Sequence, residues 1–367
     1  MILVLNLATL LSDTRPALRL PDYCAIRSTA DHNVEGVWID SLPPHLIVAD
    51  LTLFASVACV KPIRIPGYWY GKDIKSAPKP TMPVSKSDKV FLFLHGGAFT
   101  LLSAHPSAPF MPDMYRSLLN TVVPHLFLVE YRLSLTHPLP EENPFPAALL
   151  DALVGYVHLV DVMGYDPANV IVAGDSAGGN IALALAHYLV ENRGRHAEVG
   201  VALLPAPPGY LLLISPWADM SNSHSDTHLI YDVSTNNNPA KNAHANDMDV
   251  LGEHLVGREY PPYNVLAYVG PFGLGMMLHN WYISPVSLYR AARALFMGFP
   301  RTFITSGGAE RFLDQTRTLR DKMMKDMDKG LVTYYEGPDG IHDFICYPSH
   351  PGYRAVQDAI RNWLAPN

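Results

Sequence analysis

The chain has 367 residues and sets 27 lysines and arginines against 34 aspartates and glutamates, a formal charge of −7. That balance argues against a nucleic-acid partner, which calls for a basic face, and 49% hydrophobic with 17% charged residues supplies a large core and excludes wholesale disorder. Three scattered cysteines (Cys24, Cys59, Cys346), no CxxC pair and no Asn-x-Ser/Thr sequon give no disulfide framework or zinc knuckle and point to a reducing, intracellular, cytoplasmic setting.

In chain order, the opening MILVLNLATLL is apolar for eleven residues without a basic leader. It reads as an element that docks on the fold rather than as a signal peptide or a span, with an anchor as the alternative. Residues 46–60 read as an apolar helix and 76–88 as a polar loop. A rhythm of short apolar runs follows at 90–94, 126–131, 170–173, 210–214, 302–305 and 332–336, each fitting a strand covered on both faces. Between them, 144–160, 179–189, 312–327 and 353–364 carry helical spacing. Strands alternating with helices predict an α/β fold with a mostly parallel central sheet flanked by helices. Residues 218–284 break the rhythm and read as an insertion with its own structure. The expected organisation is 1–60 as the N-terminal part of a cap, 61–217 as the first part of the core, 218–284 as the cap insertion and 285–367 as the second part of the core.

Chemistry concentrates in Gly174-Asp175-Ser176-Ala177-Gly178-Gly179, which follows one strand and opens a helix. This is G-x-S-x-G in its strand–turn–helix setting. A serine at so sharp a turn holds strained backbone geometry, and its neighbours two positions away must be small. The hydroxyl then stands at a helix N-terminus, where developing negative charge is favoured. Asp175 is expected to bond nearby loops. The second signal is His95-Gly96-Gly97-Ala98 at the end of the 90–94 strand. The amides of Gly96, Gly97 and Ala177 are expected to form an oxyanion hole, with His95 holding the loop.

HGGA followed by GDSAGG resembles the hormone-sensitive-lipase-like branch of the α/β-hydrolase esterases. Tyr131-Arg132-Leu133-Ser134, the run from Asn143 to Ala148 and Ser215-Pro216-Trp217-Ala218-Asp219 extend the likeness over roughly 85–220 and 285–365, and the run from Pro66 to Gly71 resembles fungal members. The resemblance implies the α/β-hydrolase fold, a helical cap and a Ser–acid–His order. His342, in Gly340-Ile341-His342-Asp343-Phe344, then stands at the base position of an H-G-F pattern, with Asp343 replacing the glycine. Of the 16 histidines, His187, His224 and His254 read as surface or loop positions. For the acid, aligning Asp314 with the last residue of the family's D-P-L-x-D places Glu310 on the catalytic position. Asp314 is the alternative, its other reading being a first-turn carboxylate favoured by the helix dipole.

The chemistry so implied is hydrolysis of a small-molecule ester through an acyl-enzyme, with short acetyl-like acyl groups as the family's default and a hydrophobic alcohol. No metal or organic cofactor is called for. An acyltransferase, lactonase or amidase shares the same acyl-enzyme, and a non-catalytic small-molecule receptor on the same fold is the more distant alternative. The stretch 263–282, with Met276 and Met277, reads as pocket lining or as cap-to-core packing. Membrane contact for a lipophilic substrate stays open, and the chain is expected to be a monomer or homodimer.

Overall fold

The computed structural model describes residues 34–71, 77–81, 84–85, 87–108, 111–119, 123–194, 204–221, 223–224, 261–289 and 294–365. The opening apolar run, Cys24, His254 and most of the insertion lie outside these residues.

An eight-stranded sheet organises the molecule: β1 (Val34–Ile39), β2 (Ile65–Gly71), β3 (Val90–Leu94), β4 (His125–Val129), β5 (Val170–Asp175), β6 (Tyr210–Ile214), β7 (Arg301–Gly307) and β8 (Val332–Gly337). Their order is β1-β2-β4-β3-β5-β6-β7-β8. The first two run antiparallel to their neighbours, and the other six are parallel. The alternation of apolar runs and helices therefore reads correctly as a mostly parallel, helix-flanked sheet.

The continuous apolar runs follow from burial on both faces. Val90, Leu92 and Leu94 join one core layer with Val170, Val172, Leu211 and Leu213. Phe91 and Phe93 point the other way, with Ile171, Ala173, Leu212 and Ile214. Among the described residues, helices α1 (Asp50–Val57), α2 (Met111–Leu119), α3 (Ala147–Val157), α4 (Ser176–Glu191), α5 (Tyr263–Val269), α6 (Gly275–His279), α7 (Leu313–Asp326) and α8 (Tyr353–Leu364) accompany the sheet. Every residue of α3 is buried; its Gly155 lies so close to β4 that a Cβ would strike Val129.

The differences from the sequence expectations are local. The helix expected over 46–60 spans Asp50–Val57 behind a short 3-10 turn. Its approach is fixed by Tyr188 of α4, whose hydroxyl donates to the Leu46 carbonyl at 2.6 Å and accepts the Val48 N–H at 2.9 Å. β1, inside the segment assigned to the cap, instead forms the edge of the sheet, pairing along its whole length with β2. No helix among the described residues is long and apolar enough to cross a membrane.

Candidate active site

Strand register brings the loops together. Leu94 pairs with Gly174, Asp175 with Ile214, Ile214 with Thr305, and Gly307 with Gly337. The segments that follow β3, β5, β6, β7 and β8 therefore leave the sheet along one edge, the C-terminal edge where wound sheets bind ligands.

β5 passes into α4 with no intervening loop, and Ser176 takes the bend at φ +50°. A non-glycine residue there stores strain of roughly 1–3 kcal/mol. The flanking glycines are required by proximity. A Cβ on Gly174 would strike the Gly178 carbonyl, one on Gly178 the carbonyls of Leu94 and His95, and one on Gly179 would lie 2.9 Å from Pro216. Ser176 itself is buried, 6% exposed. As a first-turn amide, the N–H of Ala177 has no acceptor within its helix.

The loop after β3 is locked from beneath. Tyr131 stacks on His95 with centroids 4.2 Å apart and donates its hydroxyl to the His95 carbonyl at 2.6 Å. Burial pushes the His95 imidazole down to about 4, so it is neutral, and its Nδ1 lies 2.7 Å from the Gly96 carbonyl. Its place is that of a loop holder, as the sequence suggests. Gly97 turns the chain at φ +103°, where a Cβ would strike the Leu101 carbonyl.

Gly96 differs from expectation. Its N–H donates to Asp175 Oδ1 at 2.9 Å, and a Cβ in its place would strike the same carboxylate. This bond ties the glycine loop to the serine turn, as expected of Asp175, and commits the Gly96 amide. Burial pushes the Asp175 carboxyl up to about 7 against the opposing effect of the Gly96 N–H.

His342 lies in the loop after β8, 4% exposed. That loop is bonded through its backbone to the one after β7: the Gly308 N–H donates to Gly337 at 2.7 Å and the Ala309 N–H to Gly340 at 2.8 Å. Glu310 is thereby brought to His342, with Oε2 3.9 Å from Nδ1. The same oxygen accepts from the Ser215 hydroxyl at 2.6 Å and from the Gly307 N–H at 2.9 Å. Asp314 stands apart at the start of α7. Its side chain is 63% exposed and lies 3.7 Å from Arg317.

The segment after β6 connects the parts. The Trp217 N–H donates to the Ser176 carbonyl at 2.9 Å. The Trp217 ring stacks on Phe312, and Phe312 meets the His342 ring edge-on at 5.1 Å. Ser215, at φ +42°, also accepts the Asp343 N–H at 3.2 Å. Asp343 takes φ +53°, the region that suits glycine, and sets Oδ2 3.2 Å from His342 Nε2. Two residues beyond the expected set thus touch the site, Ser215 and Asp343. The sequence signal for Asp343 is its position where the resembled pattern has glycine.

Other residues singled out in the sequence lie in packed surroundings. His187, read as a surface or loop residue, is 2% exposed on α4, where Trp281 and Tyr282 of the segment after α6 pack against its ring. His224 is also partly buried: Nδ1 lies 2.7 Å from Asp219 and Nε2 3.0 Å from Thr318 on α7. This pairing and the hydroxyls of Ser221 and Ser223 hold the Asp219 carboxyl below its ordinary value although burial opposes it. The 263–282 stretch buries Tyr268, Met277 and Tyr282 in the core, with Tyr268 stacked 3.7 Å from Phe99. Among the described residues, no group of three or more His, Cys, Asp or Glu side chains converges as a metal site would require.

A parallel sheet whose fifth strand turns through a strained serine into a helix, with a histidine loop at the same edge, defines the α/β-hydrolase architecture. The chain belongs to that family: the family described as alpha/beta hydrolase fold matches residues 91–346. It is 32% identical over 139 residues to an acetyl-hydrolase of Streptomyces hygroscopicus, covering 38% of this chain and 39% of that protein. It is 28% identical over 138 residues to steryl acetyl hydrolase 1 of Saccharomyces cerevisiae, covering 38% and 28%. The chain thus spans about two fifths or less of these curated relatives. Among solved structures, a hormone-sensitive lipase from a metagenome library superimposes with a TM-score of 0.55 at 23% identity, covering 81% of this chain and 79% of that one.

Proposed function

We propose that the chain is a serine carboxylic-ester hydrolase of the hormone-sensitive-lipase-like type, with Ser176 as nucleophile, His342 as base and Glu310 as orienting acid. The observation that carries this is the serine turn: a buried hydroxyl at φ +50° on the first residue of a helix, between glycines whose Cβ atoms would strike backbone. Strain of that kind persists where the surroundings over-determine it, as at nucleophiles. His342 takes the Ser176 proton as Oγ attacks the ester carbonyl, then delivers it to the leaving alcohol. Water activated by the same imidazole releases the acid. Glu310, held by Ser215 and Gly307, accepts the Nδ1–H and stabilises the imidazolium, and the 3.9 Å separation shortens as substrate closes the site. With the Gly96 amide bound to Asp175, the N–H groups of Gly97 and Ala177 receive the oxyanion, each typically worth ~3 kcal/mol.

The substrate class is a short acyl ester, acetyl-like, of a hydrophobic alcohol. The names of the Streptomyces and yeast relatives support the acetyl group, and the yeast relative supports the fungal type. The enzyme acts as a monomer or homodimer in a reducing compartment. A p-nitrophenyl ester series from acetate to palmitate tests this. Turnover should fall with acyl length and drop to background in Ser176→Ala; turnover retained in that variant overturns the assignment.

A further inference from the structure

His342 sits between two carboxylates. Glu310 Oε2 lies 3.9 Å from Nδ1 and Asp343 Oδ2 lies 3.2 Å from Nε2. An ionised carboxylate only accepts hydrogen bonds, and a neutral imidazole has one N–H to give. At 3.2 Å Nε2 meets Asp343 as a hydrogen-bond donor, while 3.9 Å to Glu310 is an ion-pair separation, and two carboxylates this close on opposite sides favour the positively charged ring. The ring is almost fully buried, whereas the Asp343 side chain is 16% exposed, so that carboxylate keeps contact with solvent.

The backbone removes the bland explanation for this residue. Position 343 adopts φ +53°, ψ 38°, which glycine takes freely and which Asp and Asn tolerate. An aspartate here is not needed to make the turn. What it adds is a charge on the nitrogen that faces the nucleophile in a working triad.

We propose that Asp343 is a positioning residue for His342: in the resting enzyme its carboxylate holds Nε2 as an N–H donor, storing the base as imidazolium. This rests on the hydrolase reading above. Before catalysis the Nε2–H bond breaks, the proton passes to water at the exposed face of Asp343, and the electron pair stays on Nε2. The ring then accepts the Ser176 proton. Glu310, from the loop after β7, and Asp343 both lie within 4 Å of the imidazole. Arg311 is next to Phe312 on the first of these loops, Asp339 shares the loop of His342, and Ser215 and Phe312 bring no charge.

The test is the pH profile of kcat/KM for p-nitrophenyl acetate between pH 5 and 9 in wild type, Asp343→Asn, Asp343→Gly and Asp343→Glu. Asn and Gly both keep the left-handed turn. Removing a negative charge this close should move the acid limb down by about one pH unit, so the variant-to-wild-type ratio rises about tenfold from pH 8 to pH 5.5. Asp343→Glu should restore the wild-type limb. A uniform loss at every pH in both neutral variants, with the limb unmoved, overturns the proposal and marks Asp343 as structural. A second readout is independent of turnover: the ring NMR titration of His342, assigned by its loss in His342→Gln, should shift to lower pH in Asp343→Asn. An unchanged midpoint overturns the proposal. If wild type shows no Ser176-dependent hydrolysis, the hydrolase reading fails, while the NMR titration still decides the His342–Asp343 interaction.

Discussion

Glu310 and Asp314 are four residues apart and chemically equivalent as sequence, yet their surroundings predict opposite consequences of neutralisation. Glu310 is 5% exposed, and its Oε2 accepts two hydrogen bonds besides facing His342. Glu310→Gln keeps the shape but removes the charge proposed to stabilise the imidazolium and presents an NH2 where acceptors are needed. The expected loss in kcat/KM is on the order of 10³–10⁴, or about 4–5.5 kcal/mol of transition-state stabilisation. Mispairing the buried donors adds a stability cost of about 1–3 kcal/mol. Asp314→Asn removes only an exposed partner of Arg317, which keeps a 2.7 Å contact with Glu336. Surface pairs of this kind are worth at most about 0.5 kcal/mol, so activity should change less than about threefold. The assay is p-nitrophenyl acetate hydrolysis at saturating and limiting substrate, with urea unfolding run beside it to separate folding from chemistry. A larger loss in Asp314→Asn than in Glu310→Gln refutes the assignment and moves the acid to the helix.

Two further predictions address the frame. Gly178→Ala places a methyl against the carbonyls of Leu94 and His95; backbone cannot retreat as a side-chain tip does, so a loss of at least about 3 kcal/mol in stability is expected from urea unfolding, against about 0.5 kcal/mol or less for Gly275→Ala, which has open space around it. Stability should also depend on pH through Glu130, which is buried, accepts the Ser103 hydroxyl at 2.7 Å and is pushed up to about 7 by burial. Its folded value exceeds its unfolded one, so the unfolded chain holds fewer protons between about pH 4 and 7 and stability falls as pH rises through that window. Glu130→Gln should flatten this slope in unfolding measured from pH 4.5 to 8. Asp175, shifted in the same direction, contributes the slope that remains, and an unaltered slope in the variant refutes the account.

What was legible in the sequence follows from which forces leave a mark on it. Runs such as VFLFL and YLLLI mark strands because both faces are buried, and all six were readable to within a few residues. β1 and β2 escaped because VEGVWI and IPGYWYG mix glycine, proline and charge with apolar residues, and their antiparallel pairing at the edge of the sheet needs no continuous run. α2 was also missed, lying between loops without an extended helical pattern. The serine turn and the glycine loop were legible because backbone collisions permit little besides glycine there. The choice between Glu310 and Asp314 stayed open, since either side chain reaches only where the following loops carry it. Ser215 was invisible as a site residue for the same reason, since its contact with Glu310 joins positions 95 apart in the chain; Asp343, next to His342, left only the signal that it stands where the resembled pattern has glycine.

The site residues share a feature that bears on every test above. Their loops are bonded to one another mainly through backbone: Trp217 to Ser176, Ser215 to Thr305, Gly308 to Gly337 and Ala309 to Gly340. Backbone bonds survive side-chain replacement, so Ser176→Ala or Asp343→Asn changes a functional group while leaving those connections in place. Three links are exceptions. The Gly96 amide depends on the Asp175 carboxylate, Glu310 is steadied by the Ser215 hydroxyl, and the Asp343 N–H donates to that same hydroxyl. At these points chemistry and architecture are the same bond, and loss of activity there reports a displaced loop as readily as a lost catalytic group.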